Sequence, residues 1–93
     1  MSDFQLRIIS RDKVEYDAPV ESLVAPGEDG YFGVLADHMA LLTTLGPGTL
    51  SLREPGEREL RRRFEVTEGF LEVHHNHVTI LVPSLQEAAP AAS

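Results

Sequence analysis

The chain contains no cysteine among its 93 residues. This excludes disulfides, cysteine nucleophiles and thiolate metal ligands, and it fits a reducing compartment. No apolar run approaches the ~18 residues that a membrane-spanning helix needs. Residues 1–4 also lack the basic and apolar segments of a secretory signal. The sequence therefore predicts neither a signal peptide nor direct insertion into a membrane.

Basic residues are scarce. Eight Lys and Arg stand against 15 Asp and Glu, which gives a formal net charge of −7. Nucleic acids and anionic lipids attract basic surfaces, so this balance argues against both as primary partners. The hydrophobic content of 42% and the charged content of 25% are those of an ordinary folded chain. The length predicts one domain with a modest core.

The sequence also lacks the motifs that carry catalysis. It has no G-x-S-x-G, no H-E-x-x-H and no phosphate-binding loop. The segment from Gly27 to Gly33 is rich in glycine, but no helical pattern follows it, as a nucleotide loop would require. His38 beside Asp37 is half of a catalytic dyad without a nucleophile or an oxyanion hole. We predict a non-catalytic protein without a cofactor.

No segment shows a sustained helical period. Apolar and polar residues alternate instead with a period of two, in short runs bounded by Gly, Pro, Asn and Asp. This pattern predicts an all-β fold, a flattened β-sandwich or barrel of about nine to ten short strands. The domain is placed at residues 4–83. Residues 84–93 are short and rich in Ala and Pro, and we predict a disordered or frayed tail there.

The segment 26–48 organises the chain, because it holds five of the seven glycines. Two strand-sized apolar runs, Tyr31–Leu35 and Met39–Leu45, lie between turn residues. His38 stands in the loop between them. Taken locally, the pattern is that of a β-meander with tight turns, which requires no function.

The order of the pieces is more specific. P-G-E-D-G, the run Y-F-G-V-L, then His38 followed by Leu41, Leu42 and Thr43, and finally G-P-G resemble the epsilon subunit of F-type ATP synthases. The resemblance continues through residues 64–73, where the family has an apolar strand and then G-G-[FI]-[LV]-E-V. It spans residues 4–83 and concerns the N-terminal β-sandwich domain of that family.

The resemblance implies a rotor part of the central stalk. In the family this domain binds the gamma subunit, rests on the polar loops of the c-ring and couples proton flow to ATP synthesis. It would lie on the cytoplasmic face of the inner or cell membrane, attached peripherally through the complex. The resemblance and the loop pattern predict partner contacts to gamma and the c-ring at Asp29, Tyr31, His38, Met39 and Leu42.

This chain departs from the family pattern in four places. Tyr31 stands where an acidic residue is common, and Ala36-Asp37 replaces Pro-Gly before the histidine. Glu68 replaces the first glycine of the G-G pair, which would be strained if that position needs a positive φ. The C-terminal helical hairpin of most members has no counterpart here, so we expect a naturally short form.

Two clusters suggest other functions. His74 and His77 would face each other across a turn at His75-Asn76, where two imidazoles could share a metal ion. No further ligand is evident, so we predict a solvated hairpin tip, remote from His38, and not a metal protein. Arg58 and the run 61–63 are interleaved with glutamates and predict charge pairing on a solvated strand. A small β-sandwich binding module, for example for carbohydrate, and a histidine-turn metal sensor remain the alternatives.

Overall fold

The computed structural model describes residues 2–89, which form ten β-strands and no helix. The all-β prediction is confirmed. No helix in the described residues is long and apolar enough to cross a membrane. The strands are β1 (Phe4–Ser10), β2 (Lys13–Val20), β3 (Ser22–Gly27), β4 (Gly30–Leu35), β5 (Leu41–Leu45), β6 (Gly48–Arg53), β7 (Arg62–Val66), β8 (Gly69–His74), β9 (His77–Val82) and β10 (Gln86–Ala88).

The strands form one curled sheet in the order β10-β7-β6-β3-β5-β8-β9-β1-β2, and β4 pairs with β3 outside this path. Neighbouring strands are antiparallel except β1 and β9, which run parallel. β3 meets β5 only at Gly27 and Leu45. The sheet curls so that the inward side chains of its two halves pack in one core, as in a β-sandwich.

The alternation of the sequence decides which side chains enter this core. In β8, Leu71 and Val73 are buried while Phe70 and Glu72 face outward. The same period of two runs through β1, β2, β6, β7 and β9. The largest fully buried side chains come from eight of the strands: Leu6, Ile8, Val20, Leu23, Val34, Leu50, Leu52, Phe64, Leu71, Val78 and Ile80. Burying a side chain of this size contributes about 1.5 to 3 kcal/mol each.

The prediction of a frayed tail is wrong for residues 86–88. They form β10, which pairs with β7 in the register Glu87 to Phe64. The Arg62 guanidinium bonds the Glu87 carboxylate, and Leu85 packs against the core. These side-chain contacts hold a segment whose own composition gives no strand signal. Residues 90–93 lie outside the described part of the chain.

Two arginines of the arginine-rich segment pair with glutamates, as predicted. The strand begins at Arg62, so the segment before it is a loop rather than a strand. Arg62 contacts Glu54 and Glu87, and Arg61 approaches Glu57 at 4.0 Å. Because these side chains are partly exposed to water, each pair contributes little to stability.

Tyr16 is a buried core residue whose side chain contacts Glu54 and Arg62 of these charge pairs. Its hydroxyl donates a hydrogen bond to the Glu54 carboxylate at 2.7 Å. The Arg62 guanidinium lies over the ring, 5.2 Å from its centre. Burial, and then the hydrogen bond to Glu54, raise the pKa of the Tyr16 phenol well above its ordinary value.

This shift predicts a loss of stability in alkali. Above pH ~10 the unfolded chain releases the phenolic proton while the folded chain keeps it, so the free energy of unfolding falls as pH rises. Urea denaturation between pH 8 and 11 measures this slope. A Tyr16→Phe variant should have a shallower slope. Equal slopes in the two proteins would show that Tyr16 is not responsible.

Candidate partner-binding surface

A groove between β4 and β5 collects most of the residues that the sequence predicts for partner contact. A tight turn at Glu28-Asp29 joins β3 to β4, and the loop 36–40 leads on to β5. β5 pairs with β8 on one edge and meets β3 only at Leu45, and β4 pairs only with β3. The edges of β4 and β5 that face each other are therefore not paired. Asp29, Tyr31 and His38 line this groove.

Tyr31 is 60% exposed, but its position is fixed. Its hydroxyl accepts a hydrogen bond from the Thr49 amide at 3.0 Å. A Cβ added at Gly48 would lie 2.5 Å from the Tyr31 hydroxyl oxygen and 2.7 Å from Pro26 Cβ, so glycine is required there. The tyrosine therefore anchors the start of β6 although most of its side chain remains exposed.

His38 lines the other side of the groove, and Met39 and Leu42 lie just outside it. His38 is partly buried, and its Nδ1 lies 2.7 Å from the Met39 carbonyl oxygen. Met39 is 77% exposed and Leu42 is 73% exposed. Leu42 lies opposite Glu72 on the outward face of β5. These two apolar side chains stand beside the groove rather than lining it.

The loop before His38 is tied to the β8–β9 hairpin. Asp37 has φ 63°, a left-handed conformation that aspartate tolerates better than most residues. Its amide donates to Asn76 Oδ1 at 2.6 Å, and Asn76 Nδ2 donates to its carboxylate at 3.0 Å. Asp37 thus occupies the backbone position that suits the glycine of the family pattern, and its carboxylate adds a contact that glycine lacks.

These bonds correct the position predicted for the histidine turn. His74 and His77 are paired across the hairpin as expected, and His75 and Asn76 take positive φ angles in the turn. The tip is not remote from His38, because the register of β8 on β5 brings His74 and His75 into one depression with it. Within residues 2–89 no three His, Asp or Glu side chains are placed to hold a metal ion.

The backbone strain that a positive φ would impose on Glu68 is absent, because the φ of Glu68 is not positive. The glycine that the structure needs is the next one. A Cβ on Gly69 would lie 2.5 Å from the Leu81 carbonyl oxygen and 2.8 Å from Val82 Cγ1. The second glycine of the family pattern is therefore required by close packing of β8 on β9.

Sequence reasoning missed a partly exposed, largely apolar row of side chains. Thr44, Phe70, Leu81, Ile9 and Val14 lie next to one another across five adjacent strands on the outward face of the sheet. The signal was available in β9, where Ile80, Leu81 and Val82 are consecutive and one of the three must face outward.

Comparisons with known proteins identify the family of this fold. Residues 3–88 match the family described as ATP synthase, Delta/Epsilon chain, beta-sandwich domain. An ATP synthase epsilon chain of Leptospira borgpetersenii serovar Hardjo-bovis is 45% identical over 74 residues, which cover 80% of this chain and 56% of the relative. The chain thus spans about half the length of the curated relatives it matches.

Two solved structures share the fold. A chain of the Euglena gracilis mitochondrial ATP synthase structure, containing OSCP, F1 and the c-ring, superposes with a TM-score of 0.85 at 22% identity, covering 94% of this chain and 54% of that one. A chain of the Tetrahymena thermophila mitochondrial ATP synthase central stalk and c-ring superposes with a TM-score of 0.71 at 24% identity, covering 88% and 64%.

Proposed function

The chain belongs to the beta-sandwich family of ATP synthase delta and epsilon chains, and we propose that it is a non-catalytic subunit of the central stalk of an F-type ATP synthase. In this role it links the gamma subunit to the c-ring and couples proton translocation to ATP synthesis. The match of residues 3–88 to the family carries the proposal, because it covers nearly all of the described domain.

The surface supports a mechanical role. A rotor part has to transmit torque through contacts that do not yield, and the residues proposed for contact are held by the fold. Tyr31 is fixed by Thr49, and the loop around His38 is fixed by the bonds between Asp37 and Asn76. Exposed aromatic and Met side chains are favoured at protein interfaces.

The proposed contacts are Asp29, Tyr31, His38, Met39 and Leu42. Met39 and Leu42 are the two most exposed large apolar side chains in the described part of the chain. Covering them would remove apolar surface from water, which favours association. The subunit would then sit at the cytoplasmic face of the inner or cell membrane, held there by gamma and the c-ring.

Replacing Met39 or Leu42 by glutamate should weaken binding to gamma and the c-ring by about tenfold or more, because each change buries a charge in the contact. Titration of the purified chain against purified gamma and c-ring, followed by calorimetry, measures the effect. The fold should persist, since both side chains are exposed.

Val14→Glu is the matched control. Val14 is a half-exposed apolar residue on β2, which lies four strands away from β5 in the sheet. Its substitution should change the affinity by less than about twofold, since exposed positions outside an interface are usually neutral. Weakening by Val14→Glu without any effect of Met39→Glu would move the interface to the opposite part of the sheet.

A further inference from the structure

The outward face of the sheet around β9 has an apolar centre. A row of largely apolar side chains crosses five adjacent strands there, through Thr44, Phe70, Leu81, Ile9 and Val14. Phe70, Leu81 and Val14 are each about half exposed. Neighbouring strands are about 4.8 Å apart, so the row is roughly 20 Å long. Contiguous exposed apolar side chains mark interaction sites, whereas single ones are ordinary.

The charged side chains on this face are separated by sign. Glu68 and Glu72 lie on the β8 side, one on each side of the apolar row, and both are exposed. Arg7 and Arg11 hold the matching positions on the β1 side. Glu72 and Arg7 both pair with Thr79 of β9, and Glu68 and Arg11 line one depression on the other side of the row. β9 therefore separates an acidic flank from a basic one.

Three of these four charges are unused by the fold. Glu68, Glu72 and Arg11 form no salt bridge within residues 2–89. Arg7 contacts Asp17 at 3.2 Å in an exposed pair, and a guanidinium has further N–H groups to donate. The two flanks can therefore pair with charges on another surface.

A second copy of this face has the complementary pattern. When the copy is turned about a two-fold axis that runs along β9, the two flanks exchange places, and the acidic flank of one copy lies on the basic flank of the other. The apolar rows then lie on each other in opposite directions. The facing residues across the axis are Leu81 with Leu81, Phe70 with Ile9, Glu72 with Arg7, and Glu68 with Arg11.

Charge also decides how the second copy is turned. An axis along the row, perpendicular to the strands, would oppose Glu72 to Glu68 and Arg7 to Arg11. Like charges facing each other disfavour association. The axis along β9 leaves the strands of the two copies nearly aligned, and twisted sheets pack face to face within about 30° of alignment. Because every charge finds its complement on the same face, the pattern selects a second copy of this chain as the occupant.

We propose that the chain, in the absence of other subunits, forms a two-fold dimer through the outward faces of β8, β9 and β1. The face measures about 20 Å by 15 Å, which is small for a stable interface. The dimer should therefore be weak, with a dissociation constant on the order of 10 to 100 μM. The inference does not rest on the proposed function, because its tests use this chain alone.

Sedimentation equilibrium of the purified chain from about 5 to 500 μM measures the association. The parent should pass reversibly from monomer to dimer over this range. Leu81→Glu should raise the dissociation constant by about tenfold or more, because it brings two carboxylates together at the axis. Leu35→Glu is the matched control, since Leu35 is an exposed leucine on β4, outside this face. It should change the constant by less than about twofold.

Charge exchange tests the orientation. Arg11→Glu and Glu68→Arg, each alone, oppose like charges at two symmetric places and should weaken the dimer by about fivefold or more. An equimolar mixture of the two variants should associate within about threefold as strongly as the parent, because the heterodimer regains both attractive pairs. Arg58→Glu and Glu59→Arg make the same charge changes in the exposed loop before β7, and they should have no effect alone or mixed.

The results decide between dimer and monomer and between the two orientations. A parent chain that remains monomeric at about 500 μM would overturn the proposal. Dimerisation that Leu81→Glu does not weaken would place the contact on another surface and overturn it as well. Weak association of the single variants, without recovery in the mixture, would contradict the two-fold axis along β9. Recovery in the mixture would support it and would also show that both variants are folded.

Discussion

Replacing Arg53 by methionine should lower the free energy of unfolding by about 3 kcal/mol, because it leaves the Glu21 carboxylate buried without a partner. Glu21 is the one buried charged residue among residues 2–89, at 7% exposure, and the Arg53 guanidinium bonds it. Arg53 also donates to the Glu57 carbonyl at 3.2 Å and accepts the Glu21 amide on its own carbonyl at 2.8 Å. Urea denaturation measures the loss.

Removing both charges together should cost much less than removing Arg53 alone. The double variant Glu21→Met/Arg53→Met replaces the ion pair by apolar side chains, which is often close to neutral. Lys13→Met is the matched control, because Lys13 pairs with Glu15 at 4.0 Å in an exposed position. It should change stability by less than about 0.5 kcal/mol. A loss for Arg53→Met as small as that for Lys13→Met would show that Glu21 does not depend on its partner.

Gly69→Ala should destabilise the domain by about 3 kcal/mol. The new Cβ would clash with a backbone carbonyl that is fixed by strand pairing and cannot shift easily. The distance to the Leu81 carbonyl oxygen would be 2.5 Å, and Leu81 is held in register opposite Phe70. In a domain of this size the loss corresponds to a melting temperature lower by roughly 15 °C. A thermal melt followed by circular dichroism measures it.

Gly46→Ala controls for the general effect of removing a glycine. A Cβ at Gly46 would meet the Gly27 carbonyl oxygen at 3.9 Å and the Glu28 Cα at 4.0 Å, both ordinary contacts. Its φ is not in the left-handed region. Alanine there should be neutral or slightly stabilising, since it restricts the unfolded chain. Similar melting temperatures for the Gly46 and Gly69 variants would contradict the steric argument.

The period of two was sufficient to predict most of the strands, because burial on one face is a local property of the sequence. It failed where a residue's environment depends on distant parts of the chain. Glu21 lies in an apolar run that looks like continuous strand, and nothing local shows that Arg53 would neutralise it. β10 is held by Arg62 and Leu85, so its strand conformation comes from contacts rather than from its own composition.

The candidate surface was partly predictable for the same reason. Glycine punctuation placed His38 in the loop between two strands, where the structure has it, but Met39 was assigned to the following apolar run and lies in the loop as well. The register of β8 on β5 is not local, so the hairpin tip at His75 could not be placed beside that loop from the sequence. The free edge of β4 could not be predicted from the sequence either, because the topology of the whole sheet decides whether a strand has one neighbour or two.

Capture of the endogenous protein from membranes of its own cells, followed by mass spectrometry of what comes with it, tests the stalk assignment most directly. The account predicts that the other subunits of an F-type ATP synthase are recovered with this chain, gamma in a comparable amount and the c-subunit in excess because it forms a ring. Recovery of the chain with glycans or with a bound metal ion, and without ATP synthase subunits, would contradict it and favour a free binding module or a metal sensor.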